Sequence, residues 1–163
     1  MKVSLRVPIN SDFQVLESLR NDPLVQRQLM VEQIHYSPAQ VRTWIRRRTN
    51  DSHGIFFVID SDGPCGFAQL TRINRKQGTA DFGICLVRSV FGKGIGVEAL
   101  RLLEGQAKRK FRCAVITLRV LRINHRAIAF YRKMKFAAKE IRRRHYFDGS
   151  HWRDVMFMEK RLR

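Results

Sequence analysis

Apolar and polar positions alternate at the start of the chain. Val3, Leu5 and Val7 are separated by polar residues and stop at Pro8, the pattern of an opening strand. The period then lengthens. Phe13, Leu16 and Leu19 fall at helical spacing behind Ser11 or Asp12 as N-cap, and the Asn21-Asp22-Pro23 turn leads into a second short helix carrying Val25 and Leu29. Ser37-Pro38-Ala39-Gln40 predicts a third helix start, with a Ser cap, Pro in the first turn and Gln where a capping box needs it. Val41, Trp44 and Ile45 supply its apolar face.

Beyond this point the period shortens to two. Gly54 to Ile59 and Cys65 to Ile73 read as strands joined by the Asp60-Ser61-Asp62-Gly63 turn, and Asp81 to Val87 as a third. Leu100, Leu103, Ala107 and Phe111 line one side of a helix from about Gly94 to Lys110. Val115 to Val120 has consecutive apolar residues, which predicts burial on both faces. A helix over Asn124 to Lys135 follows, then two strands, Ala137–Phe147 and Trp152–Arg161, around the hairpin signal Asp148-Gly149. No repeat, low-complexity tract or interior linker divides the chain, so residues 1–163 read as a single α/β domain.

Composition narrows the class. The chain has 163 residues, 44% of them apolar, enough for a buried core. Apolar runs such as Ile55 to Ile59 are far too short to cross a bilayer, and Met1-Lys2-Val3-Ser4 lacks the apolar stretch of a signal peptide. Cys65, Cys85 and Cys113 are widely spaced, with no CxxC pair and no His at a ligand-like distance, so neither a disulfide framework nor a metal site is expected. The expected location is cytoplasmic. Thirty-two Lys and Arg against 14 Asp and Glu give a formal charge of +18, which favours acidic partners without choosing among them.

The stretch from Val87 to Leu100 lies between a predicted strand and a predicted helix and carries Gly92, Gly94 and Gly96. Glycines let a ligand approach the backbone, and the first amides of a helix have no internal partners, so such a turn holds phosphate oxygens. The spacing excludes familiar phosphate loops. A Walker A motif ending at Gly92-Lys93 needs Gly at 87 and Ser or Thr at 94, where Val87 and Gly94 stand. A dinucleotide fingerprint or kinase loop from Gly92 needs Gly where Val97 stands. A tight turn without a ligand is the plainer alternative.

Phe91-Gly92-Lys93-Gly94-Ile95-Gly96 resembles the acetyl-CoA loop of the GNAT N-acetyltransferases, usually Gln/Arg-x-x-Gly-x-Gly/Ala. Asn124 to Phe136 resembles the second signature of that family: an Asn, the Ala127-Ile128 pair, Tyr131 and a closing Phe. The subgroup it is most similar to contains ribosomal-protein N-terminal, polyamine and amino-sugar acetyltransferases, through Asn21-Asp22-Pro23-Leu24-Val25, Trp44 and Asp154. Two departures stand out: Phe91 replaces the Gln or Arg that opens the loop, and Lys135 replaces the Gly that commonly ends the last helix. The resemblance implies a mixed central sheet of about seven strands flanked by about four to five helices.

It also implies a reaction. Acetyl-CoA is the co-substrate, no metal takes part, and a primary amine attacks the thioester directly in a ternary complex. Amides near Leu86, Val87 and Arg88 would hold the pantetheine arm and polarise the thioester carbonyl. Amides of Lys93, Gly94, Ile95, Gly96, Val97 and Glu98 would take the pyrophosphate, with Asn124 on the cofactor arm. Tyr131 matches the residue that protonates the departing thiolate, and Asp81 stands near where relatives carry a base. Glu32 and His35 are candidates for the acceptor pocket. The positive charge disfavours a polyamine acceptor and favours a nucleotide-linked amino sugar or, as an alternative, the N-terminus of an acidic protein. A non-catalytic acetyl-CoA sensor or nucleic-acid-binding module would be the rival class. Nucleic-acid binding explains the charge but not the two motifs, because Phe56, Phe67, Phe82 and Phe130 sit at core-like positions. The expected assembly is a monomer or homodimer.

Overall fold

The structure, a computed structural model, describes residues 2–162; Met1 and Arg163, the last of the terminal basic cluster, lie outside them. The opening alternation forms β1 (Ser4–Arg6), and the next segments form α1 (Phe13–Asn21), α2 (Pro23–Gln28) and α3 (Pro38–Thr49). Then come β2 (Ile55–Asp60), β3 (Pro64–Asn74), β4 (Thr79–Leu86), α4 (Ile95–Phe111), β5 (Val115–Leu121), α5 (His125–Lys133), β6 (Ala137–Phe147) and β7 (Trp152–Arg161). The strands make one seven-stranded sheet in the order β1-β2-β3-β4-β5-β7-β6. β4 and β5 are parallel neighbours, and the other pairs are antiparallel. The fold is the mixed α/β sheet with flanking helices that the resemblance implies.

Local chemistry explains most element ends. The amide of Gln40 donates to Ser37 Oγ and the amide of Ser37 to Gln40 Oε1, the two bonds of the capping box, so α3 starts where the sequence places it. Asp12 does not cap α1. Asn10–Asp12 is a 3-10 turn, and the buried Asp12 carboxylate instead takes the Ile9 amide at 2.8 Å and two guanidinium bonds from Arg6 at 2.7 Å. Lys135 adopts the left-handed conformation at φ 69°, so it accepts the backbone strain that Gly would avoid.

The helices cover the sheet unequally. On one face α4 buries Ala99, Leu100, Leu103, Ala107 and Phe111 against Leu70, Ile116 and Leu118, with Ile128 and Tyr131 of α5 joining this core. On the other face Leu16 and Leu19 of α1 pack on Phe56, Val58, Phe67 and Cys85, with Trp44 of α3 closing the cluster edge-on to Phe56 and Phe67. This second cover reaches β2, β3 and part of β4 only. β5 is therefore not buried on both faces as its composition predicts: Ile116, Leu118 and Val120 are buried, whereas Arg119 is exposed and Thr117 half-buried. At the far edge, β6 is exposed on both faces and carries two register shifts and the run Arg142-Arg143-Arg144. Kinks and charge of this kind discourage edge-to-edge pairing.

Candidate active site

The parallel strands β4 and β5 pair at Thr79↔Val115, Ala80↔Ile116 and Asp81↔Thr117 and then part. Beyond that point β4 stays bonded to β3 as far as Leu86, and β5 stays bonded to β7 as far as Leu121. The two strands thus form a fork whose inner edges carry backbone groups without a sheet partner. The Val87 amide donates to the Cys65 carbonyl at 2.9 Å, so strand alternation turns the Leu86 amide the other way, into the fork. The Arg88 amide has no acceptor among the described residues.

The glycine loop lies at the open end. Gly92 and Gly94 have φ of 78° and 80°, a conformation that L side chains rarely adopt, and a Cβ on either would meet nothing within 4 Å. Both the backbone turn and the empty space above it fit a bound diphosphate. The amides of Gly94, Ile95 and Gly96 have no acceptor among the described residues; that of Lys93 donates to Val90, and those of Val97 and Glu98 both donate to Gly94. Three adjacent amides at the positive end of a 17-residue helix are thereby available to an anion. Arg88 and Lys93 are exposed beside the loop. Arg126, which sequence reasoning passed over, stacks on the Phe91 ring at 3.4 Å, so the departure at Phe91 adds a cation next to the loop by a different route. Asn124 caps α5 by accepting the Ala127 amide at 3.2 Å and is half-buried.

Tyr131 projects from α5 into the core beneath the fork. Its ring meets Phe82, Phe130 and Phe136 edge-on at centroid distances of 6.2, 5.3 and 5.6 Å, and its hydroxyl bonds no described residue. Burial pushes the phenol up from its ordinary value, with the nearby Cys85 adding to the effect, so the proton stays on oxygen at neutral pH. The Cys85 thiol is itself pushed up to about 12 by burial, with a smaller contribution from the Asp22 carboxylate, which leaves it a poor nucleophile.

Asp81 is the last β4 residue paired with β5. Thr117 Oγ1 donates to its Oδ1 at 2.6 Å, and Arg72 pairs with its Oδ2. Strand alternation places Arg119 on this same open face, and none of the ion pairs among the described residues engages it. Arg72 of β3 and Thr117 and Arg119 of β5 are neighbours of the fork that the sequence alone did not single out, because they come from two strands and no motif links them. Asp22, at the cap of α2, was read only as part of a turn and of the subgroup resemblance. Glu32 and His35 lie exposed on the 31–37 segment, with no contact to Asp81 or Tyr131. That segment is tied to the β6–β7 hairpin by Tyr146, whose hydroxyl donates to Val31 at 3.2 Å, and by Gln33, whose amide donates to Asp148. The bonds close one side of the open face. The Asp148 carboxylate, held well below the usual range by Arg153 and by the His151 and Ser150 amides, stiffens the hairpin.

A fork between parallel strands, with an amide-lined glycine turn at its mouth, defines a class: residues 2–137 match the family described as Acetyltransferase (GNAT) domain, and the chain belongs to it. It is an acetyl-CoA-dependent N-acetyltransferase. Spermidine N(1)-acetyltransferase of Escherichia coli K12 is 24% identical over 157 residues, covering 96% of this chain and 84% of that one. Among solved structures, spermidine N-acetyltransferase from Vibrio cholerae in complex with CoA and spermine superposes with a TM-score of 0.89 at 20% identity, over 98% of this chain and 95% of that chain. An N-acetyltransferase from Staphylococcus aureus Mu50 superposes with a TM-score of 0.84 at 20% identity over all of both chains. The acceptor named for the first two is the class that the charge argument set aside. Net charge describes the whole surface, whereas an acceptor meets only the groups around its own site.

Proposed function

We propose that the amine attacks acetyl-CoA at the fork between β4 and β5, and that this chain's acceptor is a polyamine. The observation that carries the first half is the parting of the two strands directly after Asp81 and Thr117, with the free amides of Gly94, Ile95 and Gly96 at the same end of the sheet. In this reading those amides hold the diphosphate, Arg88, Lys93 and Arg126 meet the outer phosphates, and the Asn124 side-chain amide reaches the pantetheine arm. The Leu86 and Arg88 amides polarise the thioester carbonyl, and their bonds strengthen as oxygen gains charge. The neutral amine adds to the carbonyl carbon, its surplus proton passes through water to Asp81, and Tyr131 protonates the sulfur as the C–S bond breaks. The poor nucleophilicity of Cys85 supports direct attack over an acyl-cysteine route.

The relatives' acceptor supports a polyamine, and Asp22 and Glu32, neither of them in an ion pair among the described residues, are the carboxylates that would meet its remaining charges. A second reading is an amine that carries an anionic group, such as a nucleotide-linked amino sugar or an acidic peptide N-terminus. Unpaired Arg119 on the open face favours it, because a polycation approaching the fork from that side would be repelled. Thiol release from acetyl-CoA separates the two across spermidine, a nucleotide-linked amino sugar and acidic peptides. Turnover of spermidine, with a KM that falls in Arg119→Glu, is the expected result. Turnover confined to the anionic amines and abolished in Arg119→Glu would establish the second reading instead.

A further inference from the structure

One polar group near the fork has no partner among the described residues. Gln69 of β3 stands opposite Gly83 of β4, two residues beyond the last β4–β5 pair, on the face that carries Asp81 and Cys85. Its side-chain amide bonds no described residue, and its Oε1 is buried without a partner. A carboxamide offers up to four hydrogen bonds, and leaving its carbonyl dry and unpaired is costly unless something fills the place.

Gly83 makes the same point from the other strand. A glycine in a strand interior weakens the sheet and marks a close approach. A Cβ at 83 would lie 3.1 Å from Gln69 Nε2 and 3.2 Å from its Cγ, and the backbone there has no left-handed strain that would call for glycine. The missing side chain lets Gln69 lie across β4 toward the fork. The residue is half-buried, with part of it accessible from the open face, and rotation about its last torsion exchanges Nε2 and Oε1 over Gly83.

We infer that Gln69 orients the attacking amine, its side-chain carbonyl accepting an N–H of the acceptor as the nitrogen closes on the thioester carbon; this rests on the fork being the site of acetyl transfer. A bound N–H fixes the direction of the nitrogen lone pair. As the N–C bond forms the nitrogen gains positive charge and its N–H becomes a stronger donor, so the bond tightens in the transition state more than in the ground state. The nitrogen's other proton leaves through water for Asp81, and the C–S bonding pair departs with sulfur, which Tyr131 protonates.

The test uses Gln69→Met, which keeps the shape without the polar atoms, and Gln69→Glu, which accepts but does not donate. Both are compared with the wild type on spermidine and on any other amine it turns over, by thiol release across pH, with acetyl-CoA affinity measured by calorimetry. Gln69→Met is expected to lose about tenfold or more in kcat/KM with unchanged acetyl-CoA affinity. Gln69→Glu is expected to keep most activity, with its rate profile displaced to higher pH because a carboxylate beside the amine stabilises the ammonium form. Loss in both variants would overturn the inference in favour of an amide that donates to the thioester oxygen. Unchanged kcat/KM and pH profile in both, with only a lower Tm, would reduce Gln69 to a structural role. A wild type that binds acetyl-CoA and turns over no amine would remove the reading of the fork, and this inference with it.

Discussion

Tyr131 is a core residue that, in the proposed mechanism, would also serve the reaction. Helical spacing from Ala127 and Ile128 makes it an apolar-face residue, and the structure seats its ring among Phe82, Phe130 and Phe136. The same burial that packs the ring holds the hydroxyl protonated, which a proton donor requires. Tyr131→Phe keeps the packing and removes the proton. It is expected to lower kcat by about a hundredfold or more while leaving the Kd for acetyl-CoA unchanged, measured by steady-state kinetics and calorimetry. Because its pKa is raised, Tyr131 contributes no alkaline fall in the wild-type rate below pH about 10, and the rate climbs with pH as the amine loses its proton. An alkaline limb near neutrality that vanishes in the Phe variant would reject this assignment. The Asp81 carboxylate was legible as a strand position and, through the resemblance, as a candidate base; its bonds to Thr117 and Arg72 come from two other strands and were not.

At the scale of the element, the loop before α4 was the most legible part of the site, because its chemistry is written in consecutive residues. The need for glycine at 92 and 94 is a backbone need, seen in the positive φ of both. Gly96 differs: a Cβ there would rest against Leu86 and Phe130 at 3.4 and 3.5 Å, so a methyl is tolerated and a larger group is not. Gly94→Val is accordingly expected to weaken acetyl-CoA binding tenfold or more, whereas Gly96→Ala changes it little; calorimetry with acetyl-CoA checks both. Strain of this kind costs about 1–3 kcal/mol and falls on the turn that presents the free amides. By contrast, the exposure of β5 was not legible in its apolar run. Which face of a strand is covered depends on helices more than sixty residues away in sequence, here α1 to α3, and these reach only part of β4.

Across the whole molecule, charge is the dominant feature, and most of the 14 carboxylates are already held by Arg or Lys. Asp12 is the most deeply buried of them, fully enclosed and bonded to Arg6, which also reaches Asp60 and so joins β1, the turn before α1 and β2. Hydrogen bonds from Arg6 hold the Asp12 carboxyl below its usual range, outweighing the opposing effect of burial. A depressed carboxylate stabilises the fold above its unfolded pKa and loses that contribution as pH falls through the folded one. Asp12→Asn is therefore expected to cost about 3 kcal/mol at neutral pH, with the difference from wild type shrinking below pH about 4. Urea unfolding at several pH values measures both; a constant difference across that range would contradict the assignment.

Order along the chain determined the elements, their period and the two signatures, because caps, turns and glycine loops are interactions between residues a few positions apart. Where β4 and β5 separate, which face of the sheet stays open, and which side chains from distant strands face each other there were decided only in three dimensions. Those features arise from contacts between segments far apart in sequence, and a pattern of apolar and polar positions records that a face is buried without recording what lies against it.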